Sequence, residues 1–380
     1  MNAFFQDQHD ELRDRARQFV EREILPHIDE WDRDETPPFH LVPQAAELGL
    51  LGPHFPTPYG GGGRDVVSTC IVAEELGRAG GGVMTPFLGS SVIATGPVFH
   101  FGTEQQKQEY LRPVLEGKKI AAIAMTEPDV GSDVGSIRTK AVKDGGDYLI
   151  TGEKLFITNG TRADFVLVAA RTGTTEDRHR GLSLLLVDRG TPGFAVKRKL
   201  NKLGWHASDT AELTFESCRV PAHKLVGEVG RGFYHLMHNL DVERMVVTAD
   251  ALGLADSAYR DAAAFAKRRV QFGEPIVRNQ VIRHMLVDMH VSLEAARLMT
   301  YNSAFAIDRG ESTATAASSA KYFVTETLRK VTADAVQIMG GQGFLMDNAV
   351  QRYFRDAPVY TIGGGTSQIQ KEIIAKNLGL

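Results

Sequence analysis

Residues 141–150, Ala141-Val142-Lys143-Asp144-Gly145-Gly146-Asp147-Tyr148-Leu149-Ile150, place two β-prone runs on either side of an Asp-Gly-Gly-Asp turn. Such a turn between short runs is the pattern of an antiparallel hairpin. Similar runs recur at Phe165-Val166-Leu167-Val168, Leu182 to Val187 and Glu212-Leu213-Thr214-Phe215, each bounded by turn residues. The span from about Ile120 to Val226 therefore reads as a β domain.

On both sides the period lengthens. From Phe4 to about Lys118, Leu12, Ala16, Phe19 and Val20 recur at helical spacing among charges, and Ile71, Glu75 and Leu76 sit in a similar stretch. After Gly230-Arg231-Gly232, the stripe Val242, Val246, Ala249, Leu252, Tyr259, Ala263 and Ala266 marks a long helix, followed by Met285 to Ala306 and Tyr322 to Met339. The expected organisation is helical over 1–119, β over 120–226 and a helical bundle over 227–380. Gly60 to Gly63 lack a following Gly-Lys-Ser/Thr and read as a flexible turn, and no Gly-x-Gly-x-x-Gly follows a strand, so phosphate-loop and Rossmann sites are not indicated.

Composition narrows the function classes. The 380 residues carry 43 Lys+Arg against 47 Asp+Glu, a net charge of -4, so no bulk field exists to hold nucleic acid or an anionic membrane. The run Ala79 to Thr103 has no charged side chain, but six Gly and two Pro argue against a membrane span, and a buried helical hairpin with a turn is expected. Cys70 and Cys218 are the only cysteines, which fits a reducing compartment. The sequence MNAFFQDQHDELRDRARQFV shows no continuous apolar targeting stretch, so a cytoplasmic location is the expectation.

Several chemistries lack support. His235 and His238 share a helical spacing, but no Glu lies between them and no third ligand is evident, so packing is preferred over metal binding. No Gly-x-Ser-x-Gly elbow occurs. What remains are polar, glycine-bearing loops: Met125-Thr126-Glu127-Pro128-Asp129-Val130-Gly131-Ser132-Asp133, Phe156-Ile157-Thr158-Asn159-Gly160, Gly340-Gly341-Gln342-Gly343-Phe344 and Gly363-Gly364-Gly365-Thr366-Ser367-Gln368. Glycine lets backbone amides approach a ligand, and Ser and Thr add hydroxyls. Any one of these loops alone could be a plain turn.

In this order on this α, β, α layout the four loops resemble those of the acyl-CoA dehydrogenase family, over essentially the whole chain. The resemblance implies an α+β fold: an amino-terminal helical domain, a central β-barrel or sandwich domain and a carboxy-terminal four-helix bundle, assembled as a homotetramer. It implies FAD as cofactor, an acyl-CoA thioester as substrate and electron transferring flavoprotein as acceptor. Cofactor contacts implied by the family motifs fall on Met125, Thr126, Gly131, Ser132, Phe156, Ile157 and Thr158, with Phe156 standing where many relatives carry Trp. Further contacts fall on Arg269, Gln271, Phe272, Gln280, Gln337, Ile338, Gly340, Gly341, Thr366, Ser367 and Gln368. An Arg suits the pyrophosphate because its fork donates bidentately, although Arg269 could also be a solvated helix end.

Many family members carry the catalytic Glu directly before the terminal Gly-Thr, where this chain has Gly364. A subset that includes isovaleryl-CoA and long-chain acyl-CoA dehydrogenases carries it instead in a Glu-Arg pair on a bundle helix. Leu240-Asp241-Val242-Glu243-Arg244 matches that arrangement, so the resemblance implies Glu243 as base, with the Gly364 amide retained as a donor to the substrate carbonyl. Glu243, Val247 and Leu254 also fall near one helical row, so the carboxyl is expected along a largely apolar edge with a raised pKa. A surface Glu paired with a basic neighbour is the other reading of the same residue. Ser132, Asp241, Arg244 and Gly365 match substrate contacts of the family, and Met84, Phe87 and Val92 are offered as acyl-pocket lining. Changed chemistry on the same fold, as an oxidase, a monooxygenase or an enzyme of carrier-bound thioesters, is the alternative; a redox-inactive binding protein is a third.

Overall fold

The computed structural model describes residues 5–174 and 176–380, so the expected helical start at Phe4 lies outside the described residues. Helices α1 (Asp7–Phe19) and α2 (Val66–Gly77) lead, with shorter helical turns, to a sheet of eight strands. Its strands are β1 (Ala121–Ala124), β2 (Lys140–Asp144), β3 (Asp147–Thr158), β4 (Phe165–Arg171), β5 (Leu182–Asp188), β6 (Phe194–Lys199), β7 (Thr210–Pro221) and β8 (Leu225–Val226). They run in the order β6-β7-β3-β2-β4-β5-β8, with β1 added parallel to β4. Five helices follow: α3 (Gly232–Arg268), α4 (Gln280–Asp308), α5 (Ala314–Met339), α6 (Ala349–Tyr360) and α7 (Ser367–Leu378).

The opening hairpin has the register expected of it: Val142 faces Leu149, and Asp144 faces Asp147 across Gly145-Gly146, with Gly145 at φ +60°. Positive φ in a two-residue turn matches the right-handed twist of the strands, which is why glycine stands there. Strands β4 and β5 read as continuous apolar runs because both of their faces are covered. Val166, Val168, Leu185 and Val187 join the core inside the β domain, whereas Phe165, Leu167, Leu184 and Leu186 join the larger core shared with the helices.

The helix that carries Glu243 is held by close backbone contact. A Cβ at Gly77 would lie 2.1 Å from the Asp250 carbonyl oxygen, and one at Gly253 would lie 1.9 Å from that of Glu74, so α2 and α3 can cross only where each presents glycine. A buried polar group spans the same crossing. Arg13 donates to Glu74 and to Tyr301, each at 2.9 Å, and Arg297 reaches Glu74 at 3.3 Å. Burial alone would raise the Glu74 carboxyl, but Arg13 and Arg297 hold it below its ordinary value.

Three expectations need correction. Residues 79–103 are not a helical hairpin: a glycine turn leads into one helical stretch, Thr85–Ala94, continued by Gly96–Phe101. The glycines at 60–63 are not a loose turn, since Gly61, Gly62 and Gly63 donate to the Pro56, Gly52 and Phe55 carbonyls, and a Cβ at Gly61 would sit 2.1 Å from the Phe55 oxygen. Helices α4 and α5 begin earlier than their apolar stripes suggested, at Gln280 and Ala314. His235 and His238 pack as expected: His235 stacks on Phe101 at 4.0 Å and His238 meets His100 edge-on at 4.6 Å. No group of three or more metal-type side chains occurs among the described residues, and no helix of the described residues is long and apolar enough to cross a membrane.

Candidate active site

Glu243 lies at the start of the fourth turn of α3 and is only 9% exposed, with Val247 and Leu254 buried on the same side. No hydrogen-bond donor reaches its carboxylate among the described residues. Burial raises its pKa to about 7, opposed by the charge of the adjacent Arg244. The surface-Glu reading is therefore excluded. Arg244 is buried too; it donates to Asp241 Oδ1 at 3.1 Å, and Asp241 Oδ2 accepts from the Thr313 hydroxyl at 2.7 Å. Arg244 is thus turned toward Asp241, and Glu243 has no ion-pair partner among the described residues.

The loop between α6 and α7 lies against α5, which packs alongside α3. Its glycines are half-buried or exposed, with Gly364 at φ +65° and Gly365 at φ +88°. The Gly363 amide donates to the Val359 carbonyl, whereas the Gly364 amide meets no acceptor among the described residues. Thr366 caps α7 by accepting from Ile369 N–H at 3.2 Å, and Ser367 donates to Glu326 at 2.6 Å. Gln368 is exposed.

On the sheet side, Met125 and Thr126 follow β1 and are fixed through their carbonyls: Lys154 Nζ donates to Met125 and the Leu155 amide to Thr126, both at 2.9 Å. Glu127 anchors the turn by accepting from the Arg138 and Thr139 amides and from Lys154 at 2.7–2.9 Å. Lys154 is fully buried, which lowers its pKa to about 8 in spite of Glu127. Beyond this anchor Gly131 and Ser132 are exposed. Phe156 sits in a register shift of β3 against β7, at φ +60° and 64% exposed, so the bulge turns its ring out of the sheet. Ile157 points into the β core, and Thr158 is half-buried beside Asn159, whose amide holds the Thr85 carbonyl at 2.9 Å.

A second set lies on the surface of the chain. Arg269, Gln271, Phe272 and Gln280 surround a small hairpin of β9 (Val270–Gln271) and β10 (Glu274–Pro275), and all four are exposed. The Arg269 guanidinium has no acceptor among the described residues. Gln337, Gly340 and Gly341 are exposed at the end of α5, a Cβ at either glycine would meet nothing within 4 Å, and the side chain of Ile338 is buried in the core. An exposed aromatic face, a free guanidinium and open glycine backbone suit a flavin dinucleotide with its ring on the sheet side and its pyrophosphate at the hairpin. Met84, Phe87 and Val92 are fully buried in the helical core.

Family models cover the three regions of this fold. The acyl-CoA dehydrogenase N-terminal, middle and C-terminal domain models match residues 6–118, 122–218 and 230–379. The chain belongs to the acyl-CoA dehydrogenase family. It is an FAD-dependent oxidoreductase of that family, acting in acyl-CoA dehydrogenation. An acyl-CoA dehydrogenase of Bacillus subtilis is 41% identical over 367 residues, 97% of each chain. The structure of butyryl-CoA dehydrogenase from Megasphaera elsdenii superposes with a TM-score of 0.96 at 36% identity, covering 99% of both chains. A subunit of the caffeyl-CoA reductase-Etf complex of Acetobacterium woodii is 37% identical over 374 residues, 98% of each.

Residue-level reading missed Lys154, Lys321 and Gln370. Lys321 leaves one trace in the sequence, a lone charge in the small and apolar run Ala316 to Val324. The partners of Lys154 and Lys321 lie 27 and 44 residues away, so no local pattern announces them, whereas Gln370 reaches back to the carbonyls of its own helix-entry loop.

Proposed function

We propose that this protein removes two hydrogens from an acyl-CoA thioester to give the 2-enoyl-CoA, with Glu243 as the base that takes the α proton. The observation that carries this reading is a buried carboxyl on α3, unpaired among the described residues and with its pKa raised to about 7, in a chain whose position 364 has no side chain. A base poised near neutral pH combines a useful ionised fraction with real proton affinity. Bound FAD supplies the acceptor for the β hydride. Loss of the α proton develops negative charge on the thioester carbonyl oxygen, and the free Gly364 amide is the donor assigned to it. One such preorganised donor contributes about 3 kcal/mol to the barrier. Arg244 and Asp241, locked to each other, form a rigid polar edge for the CoA chain, with Ser132 and Gly365 as further contacts.

Around the cofactor, Phe156 and Thr158 cover the flavin ring, Met125, Thr126, Gly131 and Ser132 border it, and Arg269 and Gln271 take the pyrophosphate. A second copy of the chain supplies Gln337, Gly340 and Gly341, in a homotetramer. Support for assembly comes from the exposure of Phe272, Phe344, Leu345 and Met346 next to these polar groups. Electron transferring flavoprotein as acceptor is supported by the Etf complex of the A. woodii relative. Two free, buried cysteines support a reducing, cytoplasmic setting.

The test is Glu243→Gln, which keeps size and polarity. The variant should purify yellow and bind thioester, yet leave the visible flavin band unbleached when substrate is added without oxygen. Bleaching at the native rate would remove Glu243 from the reaction.

A further inference from the structure

Three consecutive glycines give residues 363–365 more backbone freedom than any other segment of the site, and a Cβ at Gly364 would touch nothing within 4 Å. Side-chain packing therefore does not hold the segment that carries the Gly364 amide. Two side chains do. Lys321 Nζ donates to the Gly365 carbonyl at 2.7 Å, and Gln370 Nε2 donates to the Gly364 and Gly365 carbonyls at 3.2 and 3.0 Å. Both residues are fully buried.

Lys321 is costly where it stands. No carboxylate pairs with it within salt-bridge distance among the described residues. Burial and the charge of Arg244 lower its pKa to about 8, with Glu326 acting in the other direction. A buried ammonium whose one direct partner is a neutral carbonyl weakens the fold relative to an apolar residue of the same length. Its placement is explained by what it touches: the Gly365 carbonyl, through which it ties α5 to the glycine loop. Fixing that carbonyl, which lies in the 365–366 peptide, while Gln370 also holds the Gly364 carbonyl of the 364–365 peptide, anchors the two peptide planes that follow the Gly364 N–H, and that N–H meets no acceptor among the described residues.

We infer that Lys321 is a positioning residue, which holds the glycine loop so that the Gly364 amide meets the thioester carbonyl. The inference rests on the role proposed above for that amide. In the variants the hydrogen bond would be lost while the loop's residues remain, so the carbonyl would bind in a looser, less polarised state.

The experiment uses the FAD-loaded enzyme and an aryl-conjugated 2-enoyl-CoA as probe, because the absorption of such a chromophore moves to longer wavelength when its carbonyl accepts a strong hydrogen bond. Wild type should show the red shift. Lys321→Met should keep its flavin and bind the probe, lose most of the shift, and reduce flavin with saturating acyl-CoA about 10²-fold more slowly, the loss seen when one oxyanion donor is removed. Lys321→Gln, which retains an N–H donor, should recover part of both, a rescue that a space-filling role would not give. If Lys321→Met fails to retain flavin, Gln370→Leu is read in the same way. An unchanged red shift and reduction rate in the variant that folds would overturn the inference. Glu243→Gln separates the two proposals: it should show the full red shift without flavin reduction, so a failure of Glu243 as base leaves the spectral result of Lys321 standing on its own.

Discussion

The bundle side of the site and its hairpin side are built on opposite principles. Around Glu243 the chain's own side chains set the environment: Arg244 is turned to Asp241, the glycine loop is tied by Lys321 and Gln370, and Glu243 is buried. Around Arg269 nothing is complete. Phe272 at the tip of its hairpin is fully exposed, and Phe344 is 83% exposed next to Gly340 and Gly341. The first region can tune a pKa without help, because desolvation needs only the protein's own atoms. The second reads as half a binding surface, which cofactor and a second chain have to finish.

Breaking the unfinished side should leave the finished side intact. Phe272→Asp places a charge at an exposed aromatic anchor, and such anchors are worth about 2 kcal/mol or more at an interface. The dissociation constant for assembly should rise about 30-fold, with flavin lost on dilution, as read by light scattering and flavin absorbance. Thioester binding at the Glu243 side should persist when excess FAD is present.

The finished side should show itself in pH. Burial raises the Glu243 pKa, so its active, ionised form is depleted as pH falls through about 7. Flavin reduction at saturating substrate should therefore slow by about tenfold for each pH unit below that value and level off above it. A profile still flat at pH 5 would mean a solvated base. The smallest effect is expected from chelation. Since no metal-type cluster of three occurs among the described residues, dialysis against a chelator should leave the reduction rate unchanged.

What could be read in the sequence depended on how local each cause was. The hairpin at 141–150 and the long bundle helices are set by neighbours in the chain, so period and turn residues disclosed them. Residues 79–103 misled because their lack of charge reports burial, not the way the chain turns within it. Glu243 needed the family resemblance for its role, while its apolar row of Val247 and Leu254 was visible from spacing alone. The supports of the site were invisible for a physical reason: Lys154 meets Glu127 across 27 residues, and Lys321 meets Gly365 across 44. A single charged residue in an apolar run signals a buried partner without saying where that partner lies.

The most direct test of the account follows the α proton itself, apart from flavin chemistry. An acyl-CoA with a quaternary β carbon has no β hydrogen to give up, yet it can exchange its α protons with deuterated water, which mass spectrometry or NMR detects. The FAD-loaded wild type should catalyse this exchange and Glu243→Gln should not, although it binds the thioester. Exchange at the wild-type rate in Glu243→Gln would contradict the assignment of the base.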